Sequence, residues 1–124
     1  MKFSISRERL LQPLQSISGA VEKRQTLPIL SHIFVNVSDT NDQTIIGTDL
    51  EVEIKITLPL DQPSTPGTTT FPARKFFDLS KAISEESDIN IQVSKNRATV
   101  RSMKSRFTLS TLPSDEFPRV DKIK

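Results

Sequence analysis

The chain contains no cysteine, tryptophan or tyrosine, and among its 124 residues it has one histidine and three glycines. Without cysteine there are no disulfides, no thiol nucleophile and no thiolate metal site. A lone histidine, His32, has no second imidazole with which to share a metal, and no G-x-S-x-G elbow supplies a serine nucleophile beside it. His32 is flanked by apolar residues and reads as structural. None of the three glycines falls in a G-x-G-x-x-G or P-loop arrangement, so no phosphate cradle is expected. The aromatics are seven phenylalanines, most at core-like positions, which leaves no base-stacking platform for single strands. No run approaches the ~20 apolar residues of a membrane span, and the first residues have no apolar signal region. These absences argue against catalysis and against a membrane, and a soluble cytoplasmic protein is the expectation.

What is present is a repeated pattern. Phe3 to Leu58 reads as strand, amphipathic helix, then strands, and Thr70 to Leu112 reads in that order again. Leu10-Leu11, Ile17 and Ser18 stand at the same offsets as Phe76-Phe77, Ile83 and Ser84. The expected fold is α+β: two pseudo-repeated βαβββ units, with two helices packed on antiparallel sheets. At this length the chain is one domain with a single core, an economical one at 35% hydrophobic residues.

Ser6 reads as the N-cap of the first helix, with Glu8 in its dipole-favoured first turn. Leu10, Leu14 and Ile17 form its buried stripe, and Pro13 predicts a kink or an irregular first turn. Ile33, Val35 and Val37 alternate as a strand, as do Leu50, Val52, Ile54, Ile56 and Leu58, which predicts one buried and one wet face over nine residues. Pro59, Pro63, Pro66 and Gly67 separate the halves. Phe76, Leu79 and Ile83 give the second helix its apolar side. Strands follow around Ile89 to Val93, Ala98 to Ser102 and Arg106 to Leu112. Pro113 and Pro118 then stop regular structure.

The net charge of +2 decides nothing by itself, but its distribution is uneven. Between Ile89 and Ser114 the charged residues are Lys95, Arg97, Arg101, Lys104 and Arg106, with no acid among them. This reads either as a solvated hairpin face or as a docking surface for phosphate or a carboxylate-rich protein patch. Asp49, Glu51 and Glu53 line one strand face. A cation site, or a small hydrolase built on those carboxylates, is the weaker alternative to an ordinary wet face.

Four phrases then carry a resemblance: Thr26-Leu27-Pro28-Ile29-Leu30; Gly47-Thr48-Asp49-Leu50-Glu51; Phe71-Pro72-Ala73-Arg74-Lys75-Phe76-Phe77; and Ser105 to Pro113 with Phe117-Pro118. In this order and spacing they resemble the first domain of the bacterial sliding clamp family, the beta subunit of DNA polymerase III. The resemblance runs from Met1 to about Asp121, which implies a clamp domain over residues 1–121 and the start of a connector at 122–124. It implies a DNA-clamp fold, one of three such domains in a chain whose two copies close head-to-tail around double-stranded DNA. The implied role is a non-catalytic processivity subunit that needs no cofactor.

By the same resemblance Arg24 and Arg74 are DNA-contacting candidates, and Lys81, on the second helix, is a weaker candidate on electrostatic grounds. Phe107 and Leu109, with Lys75, Arg97, Lys104 and Arg106 around them, are candidates for the contact between subunits. Phe107 and Leu109 read equally well as plain core. Clamp loader and polymerase would be met through domains this sequence does not contain, as would the short peptide motifs the family captures. The alternative is a basic protein-interaction module that docks an acidic partner without a role at DNA.

Overall fold

The computed structural model describes residues 1–18, 31–48, 53–83, 87–103 and 105–117. The first half supplies β1 (Lys2–Ser6), α1 (Arg7–Ser18), β2 (His32–Val37), β3 (Asp42–Thr48) and β4 (Glu53–Pro59). The second supplies β5 (Gly67–Pro72), α2 (Ala73–Ala82), β6 (Asp88–Ser94), β7 (Arg97–Ser102) and β8 (Ser105–Ser110). The repeated βαβββ order expected from the sequence is present.

The halves are not separate layers. Two antiparallel sheets form, ordered β1-β6-β7-β8 and β4-β3-β2-β5, so the first strand of each half pairs with the strands of the other. Phe3 lies opposite Ile91 and Ile5 opposite Ile89, while Ile33 lies opposite Phe71 and Val35 opposite Thr69. Neither half can complete a sheet alone. The inner faces of both sheets and the apolar stripes of both helices meet in one core, in which Leu10, Leu14, Ile17, Ile33, Ile45, Phe71 and Phe76 are fully buried. The Phe71 and Phe76 rings pack at 4.9 Å between centroids.

α1 begins where expected: the Arg9 amide donates to the Ser6 hydroxyl at 3.4 Å. It then runs through Pro13 to Ser18 as one helix. An internal proline costs roughly 3 kcal/mol. Burial of Leu10, Leu14 and Ile17, at about 1.5–3 kcal/mol each, outweighs that.

β4 departs from expectation. Its alternation is real, but Ile54, Ile56 and Leu58 are half-buried rather than buried, while Lys55 and Thr57 are exposed. The reason is position: β4 is an edge strand with β3 on one side only, so its apolar face flanks the core instead of lying within it. Leu50, Glu51 and Val52 lie outside the described residues.

Beyond β8 the chain stays on the protein. The Thr111 amide donates to the Asn96 carbonyl at 2.9 Å, and Leu112 bridges to Thr70. A 3₁₀ turn, Ser114–Glu116, then leads to Phe117, which is 3% exposed and packs on Phe34 at 5.7 Å. Phe34, Ile46 and Phe117 make a second, small core on the outer face of the β4-β3-β2-β5 sheet, with Leu112 beside it. Residues 111–117 are thus a strap joining one sheet to the outer face of the other.

Candidate nucleic-acid and subunit interfaces

α2 carries the charge. With Ala73, Phe76 and Leu79 committed to the core, helical spacing leaves Arg74, Lys75, Asp78 and Lys81 exposed. Arg74 Nε and Lys81 Nζ each lie 3.9 Å from an oxygen of the same Asp78 carboxylate, and Lys81 Nζ also sits 4.7 Å from the centre of the Phe77 ring. Exposed pairs at this distance are worth about 0.3–0.5 kcal/mol and are screened by salt. They steer the two cations without immobilising them. Arg74, Lys75 and Lys81 against one aspartate leave this face electropositive. α1 offers a contrasting surface, with neutral Gln12, Gln15 and Ser16 exposed and Glu8 held by Arg7 at 3.0 Å.

One residue here escaped the sequence reading. Arg7, at the start of α1, donates through Nε to the Ser80 carbonyl at 3.2 Å and through Nη2 to the Lys81 carbonyl at 3.0 Å. These are carbonyls of the last turn of α2, where a cation meets both unsatisfied acceptors and the negative end of the helix dipole. Arg7 thereby anchors the turn that presents Lys81. Its repeat counterpart, at the same offset, is Ala73, so the repeat itself carried no hint of it.

The expected subunit-contact residues gather partly at the β7–β8 end. Arg97 and Arg106 are exposed on the outer face of their sheet, Arg97 opposite Ser110 and Arg106 opposite Arg101. Phe107 and Leu109 point the other way. Leu109 is 6% exposed and its side chain belongs to the core, while Phe107 is half-buried against it on a strand that has β7 on one side only. α2 packs beside β8, which brings Lys75 to the same part of the molecule. Arg24 and Lys104 lie outside the described residues, as do Asp49 and Glu51 of the carboxylate strand. Among the described residues no group of three or more His, Asp or Glu side chains could hold a metal ion, and no helix is long and apolar enough to cross a membrane.

His32 joins a polar network on the outer face of its sheet. The Thr70 hydroxyl donates to the Leu112 carbonyl at 2.9 Å and accepts from the Leu112 amide at 3.1 Å. Its contact with His32 Nδ1 at 3.0 Å must therefore be a second acceptance, which assigns the proton to Nδ1. Burial lowers the His32 pKa below its ordinary value, and a hydrogen bond to the Thr70 backbone offsets only part of that.

The profile of the family described as "DNA polymerase III beta subunit, N-terminal domain" matches residues 1–121. The beta sliding clamps of Salmonella typhimurium and of Escherichia coli K12 are each 48% identical over 121 residues, covering 98% of this chain and 33% of theirs. A crystal structure of a sliding clamp, DNA polymerase III subunit beta, from Pseudomonas aeruginosa superposes with a TM-score of 0.94 at 44% identity, over 98% of this chain and 33% of that one. Caulobacter crescentus pol III beta superposes at 0.91 with 30% identity, over 99% and 33%. The chain spans about a third of the length of the relatives it matches.

Proposed function

The chain belongs to the family of the DNA polymerase III beta subunit's N-terminal domain, and from that premise we propose that it is one domain of a non-catalytic ring that encircles duplex DNA and keeps a replicative polymerase on its template. The near-complete superposition on solved clamps carries this reading. The face of α2 suits it physically. A ring holds DNA by topology, so its inner wall needs a few mobile cations that keep the duplex centred, and not tight phosphate pairing or base readout, which would slow sliding. Arg74 and Lys81, tethered loosely to Asp78, have that character, and Arg24 takes the same role by resemblance.

The ring closes through Phe107 on the β8 edge, with Leu109 behind it and Lys75, Arg97, Lys104 and Arg106 around it. A head-to-tail contact of this kind, repeated around an axis, gives a closed ring. Rim ion pairs contribute about 0–1 kcal/mol each, so Phe107 dominates the closure. Clamp loader and polymerase are partners of the assembled ring in the cytoplasm, and residues 1–121 are its first domain.

The test joins this chain to two further domains of the same shape, loads the ring onto nicked circular DNA with its clamp loader, and follows retention before and after linearisation. Loss of bound protein on linearisation supports a topological hold, and retention on linear DNA overturns it. Charge reversal separates the surfaces: Arg74→Glu weakens DNA contact in the loaded ring, while Arg106→Glu weakens the closure of the ring itself.

A further inference from the structure

The outer face of the β1-β6-β7-β8 sheet has features that neither DNA centring nor ring closure uses. Inward positions of these strands go to the core, so the outward ones fall into cross-strand rows: Ser4, Asn90, Arg101 and Arg106 in one, and Lys2, Gln92, Thr99 and Thr108 in the next. Arg101 and Arg106 stand directly opposite each other, an arrangement that is unfavourable for like charges left alone. Among the described residues, Arg97, Arg101 and Lys95 have no carboxylate within ion-pair distance. The outward positions of this sheet include one acid, Asp88, which lies at the end of β6 and accepts a hydrogen bond from Gln62 at 3.3 Å.

This face is grooved rather than flat. A cavity of about 770 Å³ runs between β7 and the strap, lined by Gln92, Lys95, Arg97, Thr99, Arg101 and the Thr111–Pro113 segment. It continues toward Lys2 and Ser4 through a second hollow of about 250 Å³ that shares Gln92, Thr99 and Arg101. Lys95 is held at the mouth by the tight β6–β7 turn, where its φ is 56°. Among the described residues, neither hollow has a carboxylate in its lining, and the one aromatic residue there, Phe3 of the second hollow, is 1% exposed and belongs to the core.

We propose that this groove binds an extended, acidic protein segment, anchored by Lys95 and Arg101. The spacing favours such a chain. Arg97 and Arg101 lie on the same side of β7, four residues and about 13 Å apart at about 3.3 Å per residue. An extended peptide running alongside presents every second side chain to the groove with the same period, so carboxylates four residues apart reach both guanidinium groups, which take carboxylates bidentately. Gln92 and Thr99 supply donors and acceptors for the peptide between them. A single nucleic-acid strand would find no exposed ring on which to stack its bases, since Phe3 is buried. Arg97 is shared with the proposed subunit contact, so the proposal is tested at Lys95 and Arg101, which that contact does not use.

The experiment takes the 124-residue chain and a fluorescein-labelled dodecapeptide of alternating aspartate and serine, followed by anisotropy at low salt. An asparagine–serine dodecapeptide and a thymidine dodecanucleotide are the controls. The expected result is saturable binding of the aspartate peptide, weakened about tenfold by Arg101→Glu and by Lys95→Glu, equivalent to about 1.4 kcal/mol each. Both variants alter exposed side chains, and unchanged far-UV dichroism and melting establish that they fold. Three results overturn the proposal: no saturable binding, binding indifferent to both substitutions, or an oligonucleotide that binds more tightly than the peptide and loses that binding in Arg101→Glu. The last would assign the groove to nucleic acid.

Discussion

The two sheets share one architecture and differ on their outer faces. The β1-β6-β7-β8 sheet turns Lys2, Arg97, Arg101 and Arg106 to solvent. The β4-β3-β2-β5 sheet turns out Phe34, Ile46 and Thr70, and residues 111–117 cover them. Inner faces have little freedom, because the exchanged strands β1 and β5 force both halves to fill one core. The outer faces are under no such constraint. A duplicated scaffold of this kind diverges where its copies do not pack on each other, so one outer face became a seat for the chain's own 111–117 segment and the other stayed charged and open.

The largest test of that contrast removes the cover. Phe117→Ala empties the site against Phe34 and Ile46, and truncating a buried phenylalanine typically costs about 3–5 kcal/mol. We expect the lower end, about 3 kcal/mol by urea denaturation, because this cluster is small and water can enter from the strap's side. An equivalent truncation on the open face, Thr108→Ala, should change stability by less than about 0.5 kcal/mol. Equal costs would mean that the strap adds nothing to its sheet.

A smaller effect belongs to the polar latch beneath the strap. Thr70→Val keeps the shape of the side chain but leaves the Leu112 amide and carbonyl and His32 Nδ1 without their partner, at a cost of about 1–3 kcal/mol. His32 adds a pH dependence whose sign follows from its environment. Its pKa is lowered in the folded protein, so the unfolded chain binds the proton more readily. This contribution is complete at pH values above the unfolded-state pKa and is lost as the pH falls through that value toward the folded one. Urea midpoints at decreasing pH should fall through this range. Because His32 is the only histidine, His32→Gln should flatten the profile there, and an unchanged profile would assign the dependence to carboxylates.

Which parts of this were legible in the sequence depends on the range of the interaction. Element order was legible, because alternation at Ile33, Val35 and Val37 and helical spacing at Leu10, Leu14 and Ile17 are local signals. The exchange of β1 and β5 was not, since the alternation of Phe3 and Ile5 says that a strand has a buried face and nothing about which strand lies beside it. The half-burial of Ile54, Ile56 and Leu58 was hidden for the same reason: edge position is a property of the sheet. Phe117 sits between two prolines in a stretch without periodicity, so its burial left no pattern to read. At the candidate site, the sequence singled out Arg74 by resemblance and Lys81 by its charge on the second helix. Their shared Asp78 stands at helical spacing from both and was readable. The capping of α2 by Arg7 joins residues 73 and 74 positions apart, and no local rule reaches that far.

The smallest expected effect concerns the open face itself. Arg101 and Arg106 occupy opposed positions on β7 and β8, where like charges are destabilising by a fraction of a kcal/mol before screening. Arg106→Thr should therefore raise the stability of the chain by a few tenths of a kcal/mol at low salt, with the gain vanishing at high ionic strength as the Debye length contracts. The sign is the informative part. Most surface substitutions are neutral or mildly destabilising, so a gain confined to low salt would show that this face carries repulsion the fold does not need. Repulsion retained at a surface position is understandable where an anion relieves it. Saturating the groove with the aspartate–serine peptide should accordingly abolish the gain from Arg106→Thr. A gain of the same size with and without the peptide would separate the repulsion at Arg101 and Arg106 from any ligand in the groove.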